Sequence, residues 1–353
     1  MMLYLHLPFC KSKCAYCAFC SGAYPLATQQ KYIQKLIDFI HAYCGDKTFE
    51  TIYIGGGTPS ALPTELWQDL LKALNACIDV KKLKEFTVEL NPESTTEALL
   101  VLLKNGGVNR LSFGVQSLVD QELKTIGRLH TAKQAKEKIL LAHSCGFENL
   151  SADLIYGLPY QSVESFSQSV RELLSLPICH LSCYNLQLEE GTPLAEKQYP
   201  YADEEAQDKM YQTLLSLTNA AGFVHYEISN FAKPGKRAIH NSGYWTGTDY
   251  LGLGAAAHSK LGTVRYNFLD DVEHFVQKKE LSFDEQICLS ENDLTEEAVM
   301  LGLRTDNGAP LSLLDQDKVQ KYIAYGLGEI KGDRFVLNDR GFMVSNTIIA
   351  DLI

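Results

Sequence analysis

Over its first 230 residues the chain alternates between short β-branched or aromatic runs and longer amphipathic stretches. The short runs fall at 3–7, 51–54, 86–90, 110–115, 150–156 and 180–186. Helical patterns occupy 29–43, 65–77, 96–104, 132–144 and 163–174, and another at 204–221 follows the sixth run. Alternation on this scale leaves few solutions: strands of one sheet run parallel, and the helices that connect them cover its outer face. Six units predict an α/β fold built on a partial (β/α)6 barrel of TIM type, with ligand-binding groups at the C-terminal ends of the strands.

The pattern changes after residue 230. Residues 231–262 are rich in Gly, Ala, aromatics and His and carry little regular periodicity. Residues 291–353 read as a smaller α+β module of winged-helix type, in which 334–337 and 342–344 form a hairpin before a last helix. The expected organisation is a core barrel over 1–230, a connecting region over 231–290 and a C-terminal module over 291–353.

Ten cysteines punctuate this frame, and Cys10, Cys14, Cys17 and Cys20 fall within eleven residues directly after the first predicted strand. The compartment decides how to read them. With 32 basic and 43 acidic residues the net charge is −11, which argues against non-specific nucleic-acid binding and against a polybasic membrane anchor. No run of 18 apolar residues occurs and the N-terminal residues lack a signal-peptide pattern, so a cytoplasmic protein with reduced thiols is expected. A tight thiol cluster there reads as a metal site. Soft thiolates suit iron–sulfur clusters, and Cys10, Cys14 and Cys17 could hold three irons of a [4Fe–4S] cube while the fourth stays open. Spacing alone leaves two alternatives: a zinc knuckle with Cys20 as fourth ligand, or buried free thiols.

Other polar residues gather at strand ends. Gly55-Gly56-Gly57-Thr58-Pro59 follows the second run, and such a turn lets backbone approach a small ligand, although many are ordinary connections. Glu89 ends the third run, Gln116 the fourth, and Asp153 lies in the fifth. Arg128, in Gly127-Arg128-Leu129-His130, is placed to pair with a carboxylate and Asp153 to orient it; a structural salt bridge is the plainer account. Tyr4 and His6 share one face of the first strand, His6 more as a core histidine than a ligand.

Cys-x3-Cys-x2-Cys with an aromatic, Tyr16, before the third cysteine resembles the signature of the radical S-adenosylmethionine (SAM) superfamily. The resemblance implies a [4Fe–4S] cluster on Cys10, Cys14 and Cys17, and SAM on its open iron. It also implies SAM contacts from Tyr4, Tyr16, Gly57, Thr58, Glu89, Gln116, Arg128 and Asp153. Later segments extend the likeness along nearly the whole chain: Glu190-Gly-Thr-Pro193, Tyr226-Glu-Ile-Ser-Asn-Phe-Ala232, Leu251-Gly-Leu-Gly-Ala-Ala-Ala-His258 and Leu301-Gly-Leu-Arg304. Together they resemble the branch holding oxygen-independent coproporphyrinogen III oxidases and the haem chaperones of the HemW family.

Three features favour the chaperones. The oxidases carry a fourth cysteine where this chain has Phe19, and HemW proteins carry Phe. The oxidases have a long arm before the motif, whereas nine residues precede Cys10 here. His240-Asn241-Ser-Gly-Tyr244-Trp245 matches an element implicated in haem binding, with His240, Tyr244 and Trp245 as the expected contacts and a structural loop as the plainer reading. Ala18 departs from the acidic residue common in HemW, and Cys20 is expected to be a spare thiol. The resemblance implies haem as cargo, haem-acceptor proteins and an electron donor as partners, a homodimer, and membrane contact only through acceptors. It assigns no catalytic residue and leaves open whether SAM is cleaved. The competing expectation is the oxidase reaction on coproporphyrinogen III.

Overall fold

Seven parallel strands form the centre of the sheet in the computed structural model, which describes all 353 residues. Six are the expected ones: β1 (Met2–Leu7), β2 (Thr51–Gly56), β3 (Glu85–Leu90), β4 (Arg110–Gln116), β5 (Asn149–Tyr156) and β6 (His180–Asn185). Each pairs in parallel with the next, with α1 (Leu26–Cys44), α2 (Thr64–Cys77), α3 (Glu97–Asn105), α4 (Asp120–Thr125), α5 (Ala132–Ser144) and α6 (Val163–Leu174) in the crossovers. The helices begin where side chains satisfy free N–H groups. Thr131 and Gln134 form a capping box on α5, and Ser162 and Ser165 do so on α6. Ala135, Ile139 and Ala142 then place one buried stripe on α5.

Side chains alternate along each strand. Leu3, Leu5 and Leu7, Ile52 and Ile54, Phe86 and Val88, Leu111 and Phe113, Leu150 and Ala152, and Leu181 are buried without exception. They belong to a core of 58 residues shared with the covering helices. The opposite face turns inward and is polar: Tyr4 and His6, Thr51 and Tyr53, Glu85 and Glu89, Arg110 and Ser112, Ser151 and Asp153, His180 and Ser182. An ordinary TIM barrel fills this space with branched apolar residues. Here it is a lumen of hydrogen-bonding groups.

The seventh parallel strand comes from a segment with no visible periodicity. After α7 (Glu204–Ala220), β7 (Val224–Glu227) and β8 (Asn230–Ala232) extend the β6 edge antiparallel. Helix α8 (Ile239–Trp245) follows, and β9 (Tyr250–Leu253) then runs parallel beside β1 on the other side of the sheet. The antiparallel strands β10 (His258–Leu261) and β11 (Val264–Asn267) come next, then α9 (Val272–Gln277), and β12 (Glu285–Cys288) ends the row. The sheet order β12-β11-β10-β9-β1-β2-β3-β4-β5-β6-β8-β7 does not close on itself, so the barrel has an open flank.

The C-terminal residues form α10 (Glu291–Gly302), β13 (Ala309–Pro310), α11 (Gln316–Ala324), β14 (Gly328–Lys331), β15 (Arg334–Leu337), α12 (Asp339–Met343) and α13 (Ser345–Leu352) around a separate core of 12 residues. The hairpin differs from the expected one. β15 pairs with β14 through a turn at Gly332 (φ 61°), and Phe342 lies in a helix. The cause is Asn338, whose Oδ1 accepts from the N–H groups of Arg340 and Gly341 and starts α12 at once. The module is tied to β7 by the Ile228 N–H to the Arg304 carbonyl, by the Asp306 N–H to the Tyr226 carbonyl, and by a two-pronged Arg237–Asp306 pair at 2.9 and 2.6 Å. No helix is long and apolar enough to cross a membrane.

Candidate functional site

The cysteine loop leaves the C-terminal end of β1 and is closed at its base. Cys10 N–H donates to the Gly22 carbonyl at 2.8 Å, and Gly22 N–H donates back to Pro8 at 2.9 Å. Midway, Ala15 N–H donates to Ile126 and the Ala15 carbonyl accepts from Leu194, which fixes the loop against two later segments. Each sulfur then has its own polar neighbour. Thr58 Oγ1 donates to Cys10 Sγ at 3.4 Å, Arg128 donates to Cys14 Sγ at 3.4 Å, and Ser21 Oγ lies 3.9 Å from Cys17 Sγ. Burial pushes the Cys10 thiol up, and Cys14 and Cys17 push it in the same direction. Three thiols carried on one short loop suit a shared soft cation better than three separate free thiolates.

Asn91 links two of these contacts. Its Nδ2 donates to Thr58 Oγ1 at 2.8 Å and its Oδ1 accepts from Arg128 at 2.7 Å, so one hydrogen-bonded chain runs from Cys10 to Cys14. Nothing in the residue type marks Asn91; its place just past the end of β3 is the one sequence signal. The terminal nitrogens of Arg128 donate to Cys14, Asn91 and the Gly114 carbonyl, and Asp153 accepts from Ser112. The two form no ion pair.

The glycine turn after β2 is tight for a backbone reason. A Cβ on Gly57 would lie 2.8–2.9 Å from the main chain of Pro8 and Phe9. Gly57 N–H donates to Leu7 and Thr58 N–H to Phe9. The turn therefore docks on the start of the cysteine loop and brings Thr58 to Cys10. Gly55 leaves room for the Glu89 carboxylate, which would meet a Cβ at 2.8 Å. Glu89 accepts from Tyr53 at 2.6 Å and from Gly56 N–H at 3.2 Å, and burial pushes its carboxyl up to about 7. Gln116 ends β4 with φ 69°, and its buried Oε1 has no partner. A left-handed non-glycine residue with an orphaned amide oxygen suits a position that meets a ligand. Burial raises the Tyr16 hydroxyl, and the ring packs against Ile126, Ile155 and Leu158. Tyr4 donates to or accepts from His6 Nδ1 at 2.9 Å.

Cys20 stands apart. It lines a hollow with Lys13, Asp270 and Asp271, and burial and then a hydrogen bond with Asp270 push its thiol up to about 12.

The expected haem residues divide. His240 is fully buried near the N-terminal ends of the strands, its Nδ1 bonded to Thr51 at 2.8 Å and its Nε2 to Tyr244 at 2.9 Å. Burial, then Arg110, lowers it to about 3, so the ring is neutral and offers no free nitrogen to an iron atom. Tyr244 and Trp245 instead line a cavity of about 470 Å³ with Tyr4, Tyr53, Glu89, Tyr184, Glu227, Asn230, Asn241 and Leu301. It runs from Glu89 in the lumen to α8 and Leu301 of the C-terminal module. A second hollow of about 700 Å³ shares Tyr184, Ile228 and Ser229 with it and continues under α12 and α13 to Met343.

Residues 4–173 match the model of the radical SAM superfamily, and residues 289–344 match that of the HemN C-terminal domain. The fold superposes on coproporphyrinogen III oxidase (HemN) from Escherichia coli, described as a radical SAM enzyme, with a TM-score of 0.87 over 99% of this chain and 88% of that one. Identity there is 20%, so that likeness establishes the fold alone. The heme chaperone HemW of Lactococcus lactis is 34% identical over 98% of this chain and 95% of its own length. The chain belongs to the HemW family. The Bacillus subtilis heme chaperone HemW is 36% identical over 86% of this chain. As part of the radical SAM superfamily, the HemW family implies a [4Fe–4S] cluster and SAM, and the donor set here fits them: three clustered thiols, each beside a polar group, with the orphaned Gln116 Oε1 and Arg128 Nε buried at the same end of the barrel.

Proposed function

We propose that the protein is a cytosolic haem chaperone that holds a [4Fe–4S] cluster, binds SAM, carries haem and hands it to acceptor proteins. The observation that carries this reading is the aromatic cavity running from Glu89 and Tyr4 to Trp245 and Leu301. Pockets of this size lined by aromatics with a few polar groups are typical ligand sites.

Cys10, Cys14 and Cys17 hold the cluster, which when bound supplies one-electron chemistry and an open iron. Hydrogen bonds from Thr58 to Cys10 and from Arg128 to Cys14, with the Ser21 hydroxyl beside Cys17, would tune its potential. Tyr4, Tyr16, Gly57, Thr58, Glu89, Gln116, Arg128 and Asp153 surround SAM. Tyr244 and Trp245 contact haem, and His240 contributes by fixing the Tyr244 hydroxyl. The adjoining hollow under α12 and α13 gives the cargo a way out toward an acceptor. A cluster held there would draw its electron from an external donor.

The deciding experiment is anaerobic reconstitution with iron and sulfide counts, followed by haem titration and an assay for coproporphyrinogen III oxidation in parallel. Stoichiometric haem uptake without oxidase turnover is expected. Turnover without haem uptake would replace the chaperone by the oxidase.

Glu89 gives SAM binding a pH dependence. Its carboxyl is raised to about 7, chiefly by burial. SAM carries a sulfonium cation, which favours the ionised carboxylate and lowers this pKa in the complex. Binding then releases a proton, so affinity rises as pH climbs toward 7 and levels off above it, by at most about tenfold per unit. Calorimetric titration of the reconstituted protein between pH 6 and 8 should show the rise, and Glu89→Gln should flatten it. An identical slope in the variant would remove Glu89 from the SAM site.

A further inference from the structure

Trp245 and Leu301 line a second hollow as well as the aromatic cavity, so the two share a wall. This hollow, of about 400 Å³, lies where the end of α8 and β10 meet α10 and the C-terminal module. Its charged lining is Lys260, Glu297 and Arg334. Lys260 decides its chemistry. The residue is 8% exposed, and Gly247 makes room for it: a Cβ there would lie 3.3 Å from the lysine Nζ. A buried ammonium carries three N–H groups that need acceptors. One reaches the Gly247 carbonyl at 3.4 Å, and the Glu297 carboxylate is 3.7 Å away, beyond a hydrogen bond. Glu297 Oε1 is engaged by Arg265 instead, at 2.9 Å. Arg334 donates to the carbonyls of Asn307 and Gly308. The hollow thus sets two cations against one carboxylate that Arg265 already pairs, in a chain of net charge −11.

A buried ammonium with N–H groups to spare selects an anion that accepts from it, and a carboxylate does so strongly. The aromatic cavity next door has no lysine or arginine of its own and suits a flat apolar ring. Haem has both parts, a ring and two carboxylate-ended arms. Resting on the haem reading above, we propose that Lys260 anchors one haem propionate in this hollow, past Trp245 and Leu301, while the ring occupies the aromatic cavity. The propionate oxygens accept from the Lys260 ammonium. Glu297 limits the grip, because its negative charge lies near the same ammonium and offsets part of the attraction. A tempered anchor suits a carrier that must release its cargo.

The test compares haem with haem dimethyl ester, whose arms carry no charge, by absorbance titration of the full reconstituted chain. The natural protein should bind the free acid about tenfold or more tighter than the ester, the effect of one hydrogen bond to a charged group. Lys260→Met keeps the apolar stem and should bring acid and ester to within about twofold. Its ester affinity should stay in place, which shows that the cavity is intact. Lys260→Arg keeps the charge and should keep most of the preference. Glu297→Gln should widen it, since Lys260 and Arg265 then carry unopposed charge. A preference undiminished in Lys260→Met, or narrowed in Glu297→Gln, overturns the anchor. So does equal binding of acid and ester by the natural protein, which leaves the haem reading standing. Binding of neither ligand by the natural protein overturns both.

Discussion

Replacing Cys10, Cys14 and Cys17 together by alanine is expected to take the anaerobically reconstituted protein from about four iron atoms per chain to nearly none, with loss of SAM binding. The argument is geometric. The three sulfurs sit on one loop pinned at Cys10–Gly22, Ala15–Ile126 and Ala15–Leu194 by backbone bonds that do not involve them. Their removal therefore should leave the loop and the barrel folded, with an unchanged far-ultraviolet circular dichroism spectrum. Iron and sulfide analysis beside the ultraviolet–visible spectrum makes the measurement. Cys20→Ala should retain the full complement, because its thiol lies beside Asp270. Iron retained in the triple variant, or lost from Cys20→Ala, would contradict this assignment.

Arg110→Leu is expected to cost about 3–5 kcal/mol of stability, the effect of stripping one partner from a buried charged network. Arg110 is 1% exposed inside the lumen. Burial alone would depress its guanidinium, but the Glu85 carboxylate, followed by Tyr53, Tyr226 and Asp153, outweighs that and raises it. Glu85 in turn accepts from the Ile239 and His240 N–H groups at the start of α8. Leucine removes the positive charge that offsets that carboxylate and leaves it only its bonds from Thr87, Ile239 and His240. Two outcomes follow together: a lower midpoint in urea, and loosening of α8, read as faster amide exchange at Ile239 and His240. Arg110→Lys should recover part of the loss. A midpoint within about 0.5 kcal/mol of the natural protein would mean that Arg110 carries little of the network.

Much of this architecture is legible in the sequence because the barrel strands follow a clean two-residue rhythm. In Met2–Leu7, Glu85–Leu90 and Arg110–Gln116 one residue in two is apolar and buried against helices, and its neighbours are polar and face inward. Helices α5 and α6 stand at the expected bounds because capping side chains mark their starts. The cluster cysteines, the glycine turn and Glu89 are legible for a related reason, since they sit where strands end. What escaped notice depends on partners distant in sequence. β9 is four residues long and is a strand because β1 offers it an edge. Asn91 matters through Thr58 and Arg128, 33 and 37 residues away. By residue type His240 reads as a structural histidine and through the family resemblance as a haem contact, and only the folded chain reveals Thr51 and Tyr244 occupying both of its nitrogens.

The pairing of β9 with β1 has a consequence for synthesis. Strand β1 gains its second neighbour only when residues 250–253 have been made. Until then the backbone groups along one side of Met2–Leu5 lack those partners, beside the apolar side chains of Leu3 and Leu5. Such a strand is a template for pairing with other nascent chains. A fragment ending near residue 230 would keep that edge unpaired and is expected to aggregate more readily than the full chain, which light scattering of the two refolded side by side would show.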